Sequence, residues 1–329
     1  KKPKTPGLVP LIPLARFVGP GDFPGKAPKG LGPPSNRTAR FDMTDYDQFL
    51  LQDKDNFRIY PFNMNRTRPA GEWAFYHQSV DGYSAAKLKR YNDVLQLIQG
   101  SAGKDGEMIR YIKGIYDNPA NMHETSMPIL DMLSTKYIIL PDSLPYAEAF
   151  SYIRPAYTNG DGVYIYRNLQ ALPRAWFVDS LTVIPDADKR LALLGKASFN
   201  PQTTAIVESP IEGVAAPDSS YAKLLESGMH NMKYEVFTNK DAYLVVSEVY
   251  YPAGWKALVD GKETPIYPTN HTLRGVVIPA GKHSLEMVFA PKAYALSLKL
   301  SLAGLLITVL SVLGGFLWQR KKQQELKLP

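Results

Sequence analysis

Two carboxylates lie where a side chain could accept a proton during a group-transfer reaction. Asp81 precedes Gly82, and Asp131 follows Pro128 at the start of a short predicted helix. A positioned carboxylate can act as a general base. Asp81 also suits a turn, however, and Asp131 also suits the first turn of a helix, where the dipole favours negative charge. Neither position identifies a catalytic residue, so the catalytic residues stay unknown.

Metal and cofactor chemistry has no recognisable motif in this sequence. The chain contains no cysteine, and its five histidines lie far apart without the spacing of metal ligands. The sequence also lacks a glycine-rich phosphate loop, a nucleophile elbow and a dinucleotide-binding fingerprint. We therefore expect neither a metal site nor a cofactor.

Aromatic and cationic side chains are better candidates for binding a substrate. Tyr83 and Trp255 could stack on sugar rings. Lys87, Lys136 and Arg174 could contact a pyrophosphate or a lipid head group, because cationic donors fit phosphate oxygens. Two alternatives stay open: Trp255 could be a core residue, and the three cations could form salt bridges or pack against the protein.

The scaffold for most of these residues is a predicted mixture of helices and strands. Apolar residues at helical spacing, in a segment that ends at Gly100, are Leu88, Tyr91, Leu95 and Ile98. Residues 136–140 and 174–178 have the composition of strands. Because helices and strands do not alternate regularly, we predict an α+β domain at residues 41–230. Residues 1–40 are rich in proline and glycine, which predicts a linker or extended arm.

Residues 231–291 contain strand patterns only. Residues 242–251 form a long apolar run typical of a central strand. Asp260-Gly261 separates two strand-like runs and predicts a type I′ hairpin, because both turn residues need positive φ. In residues 283–289, apolar and polar side chains alternate, so one face is expected to be buried. The pattern predicts a small antiparallel β-sandwich.

A transmembrane α-helix is predicted at residues 296–318, directly after the sandwich. Residues 300–318 carry no charge, and about 20 helical residues cross the roughly 30 Å hydrocarbon core of a bilayer. The predicted membrane anchor consists of Trp318, Arg320, Lys321 and Lys322. These cations place the tail at residues 319–329 in the cytoplasm. The globular part is then expected outside the cytoplasm, with the sandwich close to the lipid bilayer.

Composition and charge restrict the possible partners. The chain has 329 residues, 45% of them hydrophobic and 21% charged, which suits two globular domains and a membrane span. Its net charge of +7 is scattered apart from short terminal clusters, so we expect no nucleic-acid partner. The chain starts at Lys1 and shows no signal peptide. We therefore expect that preceding transmembrane helices of a longer chain direct its insertion.

Four groups of residues carry a family resemblance through their order along the chain. They are Gly82-Tyr83 with Lys87-Leu88 and Tyr91; residues 130–139; residues 171–175; and Tyr251 with residues 254–257 and Asp260-Gly261. Together they resemble the extracytoplasmic C-terminal region of the YfhO-type bacterial multi-pass membrane proteins. The resemblance covers about residues 57–318.

The resemblance implies a protein similar to glycosyltransferases that take sugars from polyprenyl-phosphate carriers. Such a protein would act on cell-envelope glycans at the outer side of the bacterial inner membrane. The catalytic carboxylate of that class is expected in an early loop between transmembrane helices. The resemblance therefore transfers no catalytic residue to this sequence, and we expect this region itself to be non-catalytic.

Three functions stay open for the region. It could shape the substrate site or bind the acceptor in a glycosyltransferase-like membrane protein. It could instead be a membrane-anchored module that binds carbohydrate or protein, or a structural scaffold of a membrane complex. A β-sandwich is compatible with all three, because fold does not determine function.

Overall fold

The structure is a computed structural model that describes residues 42–64, 67–82, 86–101, 104–117, 126–144 and 152–325. The predicted arm at residues 1–40 and the candidate Tyr83 lie outside these ranges. Within them the predicted fold class is confirmed. A mixed α and β region precedes antiparallel sheets and one long C-terminal helix.

The N-terminal part combines helices with a four-stranded sheet. In chain order its elements are α1 (Asp45–Gln52), β1 (Arg58–Pro61), α2 (Ala70–Trp73), α3 (Lys89–Gln99), β2 (Gly100–Ser101), β3 (Lys104–Asp105), α4 (Glu107–Asp117), α5 (Pro128–Met132), β4 (Thr135–Leu140), β5 (Ile153–Thr158) and β6 (Tyr164–Asn168). The sheet order is β1-β4-β6-β5. β1 runs parallel to β4, whereas the other neighbours are antiparallel. β2 and β3 pair separately.

The apolar face predicted from helical spacing belongs to α3. Tyr91, Leu95 and Ile98 are buried in the main core, and Leu88 forms the N-cap and packs against that core. The helix ends at Gly100, whose φ of 89° a residue with a side chain rarely adopts. The predicted helix is therefore confirmed with a start one residue after Leu88.

The C-terminal part contains two larger sheets and the long helix. In chain order its elements are β7 (Ala175–Val178), β8 (Ser180–Val183), α6 (Ala187–Leu194), β9 (Thr204–Val207), β10 (Ser220–Ser227), β11 (Asn231–Thr238), β12 (Ala242–Val249), β13 (Trp255–Val259), β14 (Lys262–Thr264), β15 (Tyr267–Thr269), β16 (Leu273–Ile278), β17 (Gly281–Phe289) and α7 (Lys292–Glu325). The five-stranded sheet has the order β10-β11-β17-β13-β14. The six-stranded sheet has the order β7-β12-β16-β15-β9-β8, with only β8 and β9 parallel.

The two sheets draw strands from a longer segment than residues 231–291. β7, β8 and β9 lie in the six-stranded sheet, and β10 forms an edge of the five-stranded sheet. A core between the sheets includes Val236, Leu244 and Leu285. The sheets therefore begin at Ala175 rather than at the predicted sandwich start, because β7 pairs with the distant strand β12.

Local turn chemistry and alternation match the predictions within the sandwich. Asp260 and Gly261 have φ values of 50° and 79°, as a type I′ hairpin between β13 and β14 requires. Leu285 and Met287 on β17 are fully buried, whereas Glu286 between them is half-buried. β12 is buried along nearly its whole length, as its apolar run predicted.

Replacing Gly275 with alanine is expected to lower the free energy of unfolding by about 1–3 kcal/mol, because overpacking a core forces rearrangement. A methyl group there would overlap the hydroxyls of Tyr243 and Thr269, which hydrogen-bond to each other at 2.7 Å. Thermal and urea unfolding of the protein in detergent would measure the change. Gly82→Ala, where a methyl group meets open space, is the control. A Gly275→Ala protein as stable as this control would contradict the close packing.

The predicted transmembrane span is confirmed as part of α7. Within it, the segment Ser297–Arg320 contains an 18-residue window with a mean hydropathy of 2.3, and none of that window is buried against the rest of the protein. A helix that is apolar all round and unburied suits lipid rather than water. The helix α7 is longer than this span at both ends, because it runs from Lys292 to Glu325.

Candidate functional site

A buried charge cluster forms where β1 meets the six-stranded sheet. Arg58 on β1 donates to the Ser247 hydroxyl at 2.9 Å and to the Glu248 carboxylate at 3.2 Å. Arg174, just before β7, also donates to Glu248 and reaches the Gln78 side-chain oxygen at 3.0 Å. All three charged side chains are buried. Glu248 therefore holds two guanidinium groups from different parts of the chain.

The cluster contains more positive than negative charge. A third buried guanidinium, that of Arg274, lies near Glu248 and stacks on the Trp255 ring, 4.0 Å from its centroid. Burial and the neighbouring Arg174 lower the pKa of Arg58 to about 10. Burial alone would raise the pKa of Glu248, but the three arginines hold it below its usual range. Glu248 is thus an ionised carboxylate shared by three cations.

A cavity of about 660 Å³ adjoins this cluster. Its wall contains four cationic residues and one carboxylate, namely Lys54, Lys136, Arg167, Arg174 and Asp55. Lys136 forms ion pairs with Asp53 at 2.5 Å and Asp55 at 2.6 Å. Arg167 is exposed on β6. The cavity therefore brings together two predicted binding residues, Lys136 and Arg174, that lie 38 positions apart in the sequence.

The Arg174 side chain keeps one donor available. Both terminal nitrogens are used, by Glu248 and Gln78, but the buried Nε has no hydrogen-bond partner among the described residues. An unpaired buried donor is unfavourable unless water or a ligand satisfies it. Arg174 therefore lines the cavity as a positive charge held in place by Glu248 and Gln78, with one donor unpaired.

Part of the cavity lining is apolar. It is built by the end of β10 and by the loop between β6 and β7, and includes Leu169, Leu172, Leu224 and Leu225. Leu169 and Leu225 are among the exposed large hydrophobic side chains of the protein. The cavity thus combines positive charge with apolar surface, which suits an amphiphilic ligand with an anionic group.

The cavity lies at the end of the sandwich from which the membrane helix leaves. Ser227, at the end of β10, contributes to its wall. Three residues later, the carbonyl of His230 accepts a hydrogen bond from Phe289, the last residue of β17, at 2.8 Å. α7 begins at Lys292. The cavity is therefore close to the point where the chain enters the membrane.

The other predicted binding residues lie outside this cavity. Lys87 lies 3.9 Å from Asp81, so it has a weak ion-pair partner. Trp255 is half-buried between Arg274 and Phe289, with 5.3 Å between the aromatic centroids. This position favours the packing alternative, because the Arg274 guanidinium occupies a ring face that a sugar would need.

The two candidate carboxylates have structural partners. Asp81 accepts a hydrogen bond from the backbone of Gly82 at 2.7 Å, as a turn residue does. Asp131 is buried and accepts from the Asn168 amide at 2.6 Å. Burial raises the pKa of Asp131 to about 7, although the Asn168 hydrogen bond opposes the shift. Within the described ranges, no group of three or more acidic or histidine side chains could hold a metal ion.

The predicted membrane anchor lies in the last turns of α7. Trp318 is exposed, and the Arg320 guanidinium stacks 4.6 Å from the Phe316 ring centroid. Lys321 and Lys322 continue the same helix. The structure thus places an aromatic residue and a basic cluster at the end of the apolar span.

Sequence reasoning missed Arg58, Glu248 and Arg167. A signal was present for the first two, because each is a charged residue inside a strand that otherwise reads as apolar. A buried charge in a central strand needs a partner, but the sequence does not reveal which residue that partner is. Arg167 has no comparable signal, because an exposed arginine on a strand is ordinary.

Comparison with known proteins identifies the C-terminal segment. Residues 218–301 match the family model described as bacterial membrane protein YfhO. The match runs from just before β10 into α7 and contains the motif around Tyr251, residues 254–257 and Asp260-Gly261. No curated protein and no solved structure matches the chain significantly. The matched segment, with the apolar helix that it enters, is similar to the YfhO-type bacterial membrane proteins, in agreement with the family resemblance found in the sequence.

Proposed function

We propose that this chain is the extracytoplasmic, substrate-shaping or acceptor-binding region of a glycosyltransferase-like membrane protein. The protein would act on cell-envelope glycans and use a polyprenyl-phosphate-linked sugar. The observation that carries the proposal is the cavity that contains both Lys136 and Arg174 beside an apolar wall. The cavity receives the phosphate-bearing head of the lipid-linked substrate.

Charge and position support this assignment. Cationic hydrogen-bond donors bind a phosphate group well, and a planar guanidinium group can donate two parallel hydrogen bonds to its oxygens. Arg167 and Arg174 supply such groups, and Lys136 adds a third cation. The apolar wall suits the first isoprenoid units of the carrier. The cavity also lies at the membrane end of the sandwich, where a lipid-linked head group is accessible.

The proposed orientation follows from the basic end of α7. Arg320, Lys321 and Lys322 favour the cytoplasmic side, because positively charged segments adjoining a span are retained there. The sandwich and the cavity then face outward from the bacterial inner membrane. In this arrangement the region binds and orients the substrate, and the chemical step belongs to a carboxylate on another part of the membrane protein.

Reversing one charge at the cavity tests the proposal. Arg167→Glu is expected to weaken binding of a polyprenyl-phosphate sugar to the protein in lipid nanodiscs about tenfold, or about 1.4 kcal/mol. The residue is exposed, so the fold should tolerate the change. Lys189→Glu on the exposed side of α6 is the control, since it changes the net charge equally and does not line the cavity.

The affinity should also fall with salt concentration, because exposed charges are screened. Equal affinity of the Arg167→Glu and Lys189→Glu proteins would contradict phosphate binding in this cavity. If the protein binds a neutral glycan and neither substitution changes that affinity, the result would favour the alternative, a membrane-anchored carbohydrate-binding module.

A further inference from the structure

We propose that two loops of the sandwich contact the lipid head-group layer. We define the membrane rim as residues 228–230, between β10 and β11, together with residues 250–254, between β12 and β13. This surface is separate from the substrate function of the cavity. The partner is the interface of a phospholipid bilayer, and the contact depends only on the membrane span in α7.

The distance from the sandwich to the membrane is short. β17 ends at Phe289, α7 begins at Lys292 and the apolar span begins at Ser297. Five helical residues from Lys292 to Ser297 cover about 8 Å at 1.5 Å per residue. The polar head-group region on each side of a bilayer is about 5–8 Å thick, from the difference between total and hydrocarbon thickness. The end of β17 therefore lies at the outer edge of this layer.

Hydrogen bonds hold both rim loops at this junction. Phe289 donates to the His230 carbonyl at 2.8 Å, and Ala290 donates to the Gly254 carbonyl at 2.7 Å. The His230 ring also stacks on Phe289, with centroids 6.0 Å apart. At Gly254, which has a φ of 122°, an added methyl group would approach Phe289 to 2.8 Å. The loops are thus fixed beside the start of the membrane helix.

The chemistry of the rim suits a lipid interface. Its sequence is Gly-Met-His and Tyr-Tyr-Pro-Ala-Gly, without a single carboxylate or lysine. Met229 is 44% exposed. Moving exposed apolar side chains from water into the membrane interface lowers the free energy, and tyrosine is enriched in that interface. Met229 and the loop around Tyr251 are therefore the residues expected to enter the head-group layer.

Site-specific fluorescence quenching tests the contact in the full chain. The chain has no cysteine, so a single cysteine can carry an environment-sensitive fluorophore without background. Met229→Cys and Pro252→Cys label the two rim loops, since both positions are exposed. Ala280→Cys is the control, because it is exposed in the turn before β17, about 30 Å from Phe289 along that strand at 3.3 Å per residue.

The labelled proteins are reconstituted in phosphatidylethanolamine and phosphatidylglycerol vesicles that contain lipids with a spin label near the head group. We expect at least threefold stronger quenching at either rim position than at Ala280. Equal quenching at all three positions, or none at both rim positions, would overturn the proposal. The measurement needs no sugar substrate, so its outcome is independent of the function proposed for the cavity.

Discussion

Glu248→Gln is expected to lower the free energy of unfolding by about 3–5 kcal/mol, because removing one partner of a buried ion pair leaves an uncompensated charge. Glu248 is the carboxylate shared by Arg58 and Arg174, and Arg274 also lies near it. Glutamine keeps the shape and one acceptor oxygen but removes the negative charge. Three buried guanidinium groups would then lack the carboxylate that neutralises them.

Glu263→Gln is the matched control for this experiment. Glu263 also pairs with a cation, Lys256 at 2.6 Å, but its side chain is 60% exposed, compared with 5% for Glu248. Exposed ion pairs contribute about 0–1 kcal/mol. Urea unfolding of both variants in detergent would separate the two cases. A Glu248→Gln protein within 1 kcal/mol of the control would show that the arginine cluster does not depend on this carboxylate.

The arginine cluster also explains how the two parts of the fold are joined. Arg58 belongs to the four-stranded sheet, whereas Ser247 and Glu248 belong to β12 of the sandwich. A second junction connects α3 to the six-stranded sheet, which contains β12. Here Arg90 forms an ion pair with Glu208, the residue after β9. The main apolar core likewise contains residues from both parts, such as Tyr60 and Val245. These shared contacts oppose independent movement of the two parts.

Elements with a local signal were predictable from the sequence. The periodic apolar face predicts α3, and the Asp260-Gly261 pair predicts the β13–β14 hairpin. The uncharged run predicts the membrane span in α7. The signal for α1 was also present, because Thr44 and Asp47 form a capping box three residues apart. This helix is not predicted from the sequence, because the capping pattern is not followed by a long apolar periodicity.

Long-range pairing was not predictable from one sequence. β7 lies beside β12 although about 65 residues separate them, because their alignment depends on the shared core rather than on a turn. The cavity also depends on pairing between distant segments of the chain. The sequence shows that Lys136 and Arg174 can each bind a phosphate, but only the folded sheets bring them to the same cavity.

Asp131→Asn is expected to make the protein more stable than the wild type at pH 8, by about 4 kcal/mol. Burial raises the pKa of Asp131 from its ordinary value of 3.8 to about 7, so the folded state favours the protonated form. A tenfold change in proton affinity corresponds to about 1.4 kcal/mol, which gives this magnitude. Asparagine is neutral at every pH and can still accept from the Asn168 amide.

The sign of the pH dependence follows from proton binding. Between about pH 4 and pH 7 the folded state binds more protons at Asp131 than the unfolded state, so stability falls as pH rises. Below pH 4 both states are protonated, and this contribution to stability is fully present. Unfolding free energies of wild type and Asp131→Asn, measured from pH 4 to pH 8, should therefore diverge steadily through this window.

Asp188→Asn, at an exposed position on α6, is the control and should keep the wild-type slope. Parallel curves for wild type and Asp131→Asn over this range would show that the fold does not raise the pKa of Asp131 above its ordinary value.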